Sequence, residues 1–239
     1  MRSRLLLVVT AALATQARVG LAQSDRFSGG LTEGDYVRVS AGMTNPVNAQ
    51  GGFRDWKKAT GFAVAYESWS AGDVGVGRAG FSLGFGYSAL PLNEEKFLAD
   101  FSPLSKGKTT NASAGSGALF ELNTGLNVRI PAPLLVPTVR IAVGYIGWRP
   151  KRISYTAPSG DGTTKQQSRN GAEFSIGGGL ERHFAHRFGI FGEAYYVYGF
   201  TSLGQSSATP GGICANNGCD VLKNTSVTTL RGGLTVKLP

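Results

Sequence analysis

From Gly117 to Ile130 the chain alternates strictly. Phe120, Leu122, Thr124, Leu126, Val128 and Ile130 share one parity, and Glu121, Asn123, Gly125, Asn127 and Arg129 share the other. Successive side chains of a strand point to opposite faces, so this stretch reads as a strand with one apolar and one polar face. A helical period would scatter the same residues around a cylinder. Seven further segments alternate in the same way. The eight predicted strands are 35–43, 60–69, 76–89, 117–130, 136–149, 171–184, 188–201 and 226–238. In the third, Phe81, Leu83, Phe85 and Tyr87 oppose Ser82, Gly84, Gly86 and Ser88; in the second, Phe62, Val64 and Tyr66 oppose Gly61, Ala63, Ala65 and Glu67.

The connections narrow the topology. They run long and short by turns: 44–59, 70–75, 90–116, 131–135, 150–170, 185–187 and 202–225. Long connections therefore gather at one end and short ones at the other, which antiparallel hairpins in sequence produce. Pro131, Pro133 and Pro137 bracket one short turn, where a missing N–H costs no ladder bond. The fold class expected is all-β: an eight-stranded antiparallel up-and-down barrel, occupying one domain.

The first residues point to export. Arg2 and Arg4 precede the apolar stretch Leu5–Ala14, interrupted only by Thr10, and Gly20-Leu21-Ala22 is a small-x-small site. Such a stretch is too short to span a bilayer as a helix, which needs about 20 residues. We read 1–22 as a signal peptide cleaved after Ala22 and 23–239 as the barrel domain. Loss of Arg2, Arg4 and Arg18 with it takes the formal charge from +9 to +6. That balance favours anionic surfaces such as lipopolysaccharide and phospholipid headgroups. Nucleic acid is not expected, because no single element interleaves basic and aromatic residues. No later apolar run is long enough for a transmembrane helix, so any crossing of a membrane must be made by a closed barrel.

Alternation alone leaves two barrels open. A secreted, lipocalin-like barrel would turn its apolar face inward around an apolar ligand; a transmembrane barrel would turn that face to lipid. Three features favour the second. Small residues crowd the polar face, including Gly61, Gly84, Gly86, Gly125, Gly177, Gly179 and Gly233, which suits a narrow interior and would only weaken a solvated strand. The strand charges are Glu and Arg with almost no Lys: Arg38, Glu67, Arg78, Glu121, Arg129, Arg140, Glu173, Glu181, Glu193 and Arg231 all fall on the polar face. Five acids balance five arginines, and guanidinium–carboxylate pairing suits a confined lumen. Aromatics also gather near strand ends (Tyr36, Trp69, Tyr87, Trp148, Tyr155, Phe200), as interfacial girdles do.

The segment GGGLERHFAHRFGIFGEAYY (Gly177–Tyr196) resembles the glycine-rich strand, short turn and strand with an inward glutamate of small bacterial outer-membrane barrels. With the terminal strand LRGGLTVKL and the eight-strand rhythm, the whole mature chain resembles the OmpA/OmpX-type class. The resemblance implies residence in the bacterial outer membrane, insertion by the barrel-assembly machinery and a monomeric, porin-like architecture. Members of this class usually end on an aromatic; this chain ends Leu238-Pro239.

Other motifs have plain explanations. Gly75-Val-Gly-Arg-Ala-Gly80 fits G-x-G-x-x-G, but a polar turn precedes it and an alternating strand follows, so it is a chance match rather than a dinucleotide site. His183 and His186 sit at a short turn, away from any nucleophile, and no catalytic residue, cofactor site or metal site is expected. Cys214 and Cys219 are expected to staple a long loop as a disulfide. The Glu/Arg set reads either as a paired plug or as a pathway for small or apolar solutes. Eight strands enclose a lumen just filled by side chains, which favours the plug. Basic loop clusters at 54–58, 106–108 and 149–152 are accounted for by solvation and headgroup contacts. The function expected is therefore non-enzymatic: envelope integrity, or surface interaction through the long loops.

Overall fold

The computed structural model describes residues 34–47, 53, 55–69, 74–101, 111–158, 160–165, 168–184, 187–203 and 225–239. The expected signal segment with its cleavage after Ala22, His186, and the pair Cys214 and Cys219 lie outside the described residues.

Eight long strands close a barrel. They are β1 (Asp35–Pro46), β2 (Ala59–Ser68), β3 (Arg78–Leu90), β5 (Gly117–Arg129), β6 (Val136–Arg149), β9 (Arg169–His183), β10 (Phe188–Leu203) and β11 (Thr225–Lys237). Each pairs antiparallel with the neighbour it follows along this series, and β1 pairs with β11 from Tyr36↔Lys237 to Pro46↔Val227. Closure leaves no strand of the barrel with an open edge, as a barrel in lipid requires. Sequence-expected and observed strand bounds agree within a few residues. The register keeps like residues level: Val64 faces Val39 on one side and Phe85 on the other, and Phe85 faces Leu122.

The short turns are tight. At the first, Val74 N–H donates to the Gly77 carbonyl at 2.8 Å, with Gly75 at φ 81°, a left-handed conformation that glycine adopts without strain. At the second, Ile130 N–H donates to the Pro137 carbonyl at 2.9 Å.

The long-loop end holds structure that alternation did not announce. The connection after β3 contains helix α1 (Glu94–Phe101) and β4 (Asn111–Ala114), and the one after β6 contains β7 (Arg152–Ala157) and β8 (Gly160–Lys165). These three short strands form a separate sheet in the order β4-β7-β8. The first two long loops also clasp each other. Asn93 N–H donates to the Asp55 carbonyl at 2.6 Å, and Lys57 N–H donates to the Pro91 carbonyl at 2.9 Å.

That clasp covers an apolar core lodged in the mouth of the barrel. Phe53, Trp56, Leu92 and Phe97 from the loops and α1 pack onto Leu90, Leu119, Ile146, Trp148, Val197 and Val227 of the wall. Trp148 is fully buried at its centre, edge-on to Phe53 (4.9 Å between centroids) and Trp56 (5.1 Å). Four aromatics expected in the girdles are therefore corrected; one, Tyr155, lies on β7 outside the barrel wall and packs against this core. Trp148, Tyr36 and Trp69 are 0%, 1% and 3% exposed. Trp148 lies in the apolar core, and Tyr36 and Trp69 lie beneath the guanidinium of Arg129 in the lumen.

Candidate functional site: the barrel lumen

Strand parity decides what enters the lumen. One parity of β1 brings in Arg38 and Ser40, of β2 Ala63, Ala65 and Glu67, of β5 Glu121, Asn123, Asn127 and Arg129, and of β9 Glu173, Ser175 and Glu181. Glu67, Glu121, Glu173, Glu181, Glu193, Arg38 and Arg129 are all buried. Arg231 is 9% exposed at its side chain, and Arg140 and Arg78 are half-buried.

Toward the short-turn end the charges form one continuous network. Arg38 Nη1 lies 2.8 Å from Glu67 Oε1, and its Nη2 lies 3.1 Å from Glu193 Oε2. Arg129 Nη2 reaches Glu67 Oε2 at 3.5 Å and Glu181 Oε2 at 3.1 Å. Glu67 accepts further hydrogen bonds from Asn127 Nδ2 (3.0 Å) and Trp69 Nε1 (3.2 Å). Aromatic rings bound the guanidiniums: Arg129 stands 3.9 Å over Trp69, and Arg38 stands 3.6 Å over Phe191. Carboxylates and ring faces hold these planar cations from several directions, while the Nε atoms of Arg38 and Arg129 are buried without a hydrogen-bond partner. His183 Nε2 lies 3.1 Å from Glu181 Oε1 at the edge of this group. Arg78 stands opposite Arg129 in register, near the β2–β3 turn.

A second layer lies nearer the mouth. Arg231 Nη2 crosses to Glu121 Oε2 at 2.9 Å. Asn123 bridges two charges: its Nδ2 donates to Glu173 Oε1 at 2.8 Å, and its Oδ1 accepts from Arg140 Nη2 at 2.5 Å. Glycine makes room for these head groups. A Cβ at Gly86 would lie 2.9 Å from Glu121 Oε2 and 3.1 Å from Arg231 Nη2. Between the layers, ringed by Arg38, Arg140, Glu193 and Arg231, a void of about 20 Å³ has room for roughly one water.

The outer face is the converse. Val39, Val64, Leu83, Phe85, Leu122, Ile141, Val143, Ile176, Ile190, Leu230 and Leu234 are each 41% to 64% exposed, on neighbouring strands around the whole wall. Near the long-loop ends Phe62 packs with Tyr87, Phe120 with Tyr145, and Tyr198 with Phe200, forming an aromatic belt. Charges inside and a continuous apolar surface outside can coexist stably only where the outside is lipid. The molecule is a small transmembrane β-barrel of the outer-membrane type. This removes the soluble lipocalin-like alternative, whose apolar residues would have to face the interior.

No family model and no curated protein matches the chain. Solved structures similar to it include a major outer membrane protein from Thermus thermophilus, 20% identical with a TM-score of 0.48, covering 85% of this chain and 99% of that one. Neisserial surface protein A is 11% identical (TM-score 0.45; 85% and 97% covered). Ail, the attachment invasion locus protein of Yersinia pestis, is 15% identical (TM-score 0.44; 85% and 99% covered).

Sequence reasoning missed several members of the lumen. Asn123 and Asn127 were recognised only as polar-face residues; Asn123 bridges Glu173 and Arg140, and Asn127 donates to Glu67 and accepts from Ser82. Tyr195 donates to Glu193 at 2.7 Å, and Arg169, read as part of a loop, is buried at the start of β9. Parity was a sufficient signal for Tyr36, Trp69, Trp148 and Tyr195, which share it with Arg38, Glu67, Arg140 and Glu193 on their own strands.

Proposed function

We propose that this protein is a non-enzymatic, closed outer-membrane barrel whose lumen is sealed by its own side chains. Its contribution is to the integrity of the envelope and to contacts made by the long loops at the cell surface. The reading is supported by two layers of side chains that lie in series within the lumen. Among the described residues, a charge network around a void of about 20 Å³ lies below an apolar core at the mouth. An eight-stranded wall leaves little more room than its side chains occupy. A route for small solutes would need both layers to part.

The barrel is surrounded by outer-membrane lipid and lipopolysaccharide, is inserted by the barrel-assembly machinery, and acts as a monomer. Among the described residues, no group in the lumen combines a nucleophile with an aligned base; His183 is engaged by Glu181. The decisive experiment is a planar-bilayer recording on the refolded chain, with heat-modifiable gel migration as the check of folding. A flat baseline is expected; a stable, large conductance from heat-modifiable protein sinks the sealed-lumen reading. Surface function is tested separately by deleting 90–116 and 202–225. Unchanged attachment of cells to surfaces after both deletions removes that part of the proposal.

A further inference from the structure

The void between the two charge layers is lined unevenly: three guanidiniums, of Arg38, Arg140 and Arg231, and one carboxylate, of Glu193. Small residues on the inward parity of the wall leave room for it. Arg38 is level with Ala65, Ala65 with Gly84, and Gly84 with Asn123. A Cβ at Gly84 would lie 3.2 Å from Arg140 Nη2, and one at Gly86 would lie 3.1 Å from Arg231 Nη2. The two glycines of β3 therefore let both head groups stand at the edge of the same space.

The three cations are not equally paired. Arg38 holds Glu67 and Glu193, and Arg231 holds Glu121. Arg140 makes no ion pair among the described residues. Its guanidinium donates to Asn123 Oδ1 and reaches Glu173 only through that amide. Glu193 does not balance it, because its Oε2 accepts from Tyr195 and contacts Arg38. Arg140 and Arg231 are half-buried inside the wall, so part of each head group fronts the void instead of packing on protein.

An enclosed cation without a counterion in contact is costly. A guanidinium has donors only, so an acceptor suits Arg140. The size of the void, about 20 Å³, limits that acceptor to a water or a monatomic ion. A water accepts the hydrogen bond but leaves the charge uncompensated, whereas a halide supplies both.

We propose that the lumen binds one chloride ion in this void, held by the guanidiniums of Arg140 and Arg231 with Arg38 beside them. The proposal rests on the sealed-lumen reading, so its test keeps the two apart.

The first probe is bromide, in crystals of the refolded, unaltered chain. A bromine anomalous peak between Arg140 and Arg231 is expected; density there without anomalous signal is a water and overturns the site. The second probe is chloride in solution, replaced stepwise by gluconate at constant ionic strength during urea unfolding in vesicles. An ion bound only by the folded chain lowers the unfolding constant, by up to about tenfold for each tenfold rise in chloride. R140Q is expected to lose that dependence, and R152Q, which removes an exposed loop cation, to keep it. No chloride dependence in the unaltered protein, an equal dependence in R140Q, or its loss in R152Q overturns the site. If R140Q is not heat-modifiable, the bromide peak and the chloride dependence of the unaltered chain decide the matter. Planar-bilayer recordings separate the two readings. A flat baseline without a bromide peak removes the chloride site alone, and a stable, large conductance sinks the sealed lumen whatever the crystal shows.

Discussion

Glu67 shows how the interior tolerates charge. Fully buried, it receives Arg38, Arg129, Asn127 and Trp69, so its lone pairs are engaged from several strands. Burying ions is costly, and a paired set roughly offsets that cost, whereas removing one partner leaves the other exposed to it. The pair Arg231–Glu121 makes this measurable. R231A is expected to destabilise the barrel by about 3–5 kcal/mol, because Glu121 stays buried without its cation. E121A added to R231A is expected to recover a large part of the loss. Urea unfolding in lipid vesicles reads both, and additive losses would mean that the pair is not coupled. Gly86 sets two effects against each other. Valine favours strands over glycine by about 1 kcal/mol at most. The added side chain, however, enters the space of the Glu121 and Arg231 head groups, and overpacking costs about 1–3 kcal/mol. G86V is therefore expected to lower the urea midpoint; an unchanged or higher midpoint would show that the lumen yields at that point.

At the level of elements, the wall has a depth that substitutions can read. Phe85 sits midway along β3, level with Val64 and Leu122, whereas Leu134 lies in the β5–β6 turn with 71% of its surface exposed. An arginine at a lipid-facing midplane position costs about 2–4 kcal/mol, and near the interface about 0–1. F85R is accordingly expected to lose several times more stability than L134R, and equal losses in vesicles would contradict the lipid-facing assignment of β3. These long strands were legible because alternation over ten or more residues has no competing explanation. The short elements were not. β4, β7 and β8 run four to six residues with few apolar side chains, and α1 is a helix of two turns inside a loop of polar composition. Their stability comes from packing over the mouth, which no local pattern records. The lumen divides in the same way. Parity places Arg and Glu on one face, but Arg231 meets Glu121 across 110 residues of sequence, and only register and shear decide that meeting. The aromatics near strand ends misled because position along a strand says nothing about which face a ring occupies.

On the proposed sealed-lumen reading, the described residues form two layers of different chemistry in series, and the layers respond to different perturbations. The apolar core at the mouth depends on Trp148, where truncation to alanine removes contacts with Phe53 and Trp56 and costs about 3–5 kcal/mol. The charge layers below depend on hydrogen-bonded pairs that do not touch Trp148. Independent layers imply a specific pattern of leakage. W148A is expected to stay electrically silent, because the Arg38, Glu67, Arg129 and Glu181 network still fills the cross-section. R38A/R129A is expected to stay silent as well, because the apolar core still stops the mouth. Only W148A/R38A/R129A is expected to pass ions, as brief steps rather than a constant open level, since eight strands still bound a narrow space. Planar-bilayer recordings of the three variants, each first shown to be heat-modifiable, test the arrangement directly. Sustained conductance from either simpler variant would mean that one layer alone closes the barrel, and silence from the combined variant would mean that the strand wall itself is too tight to conduct.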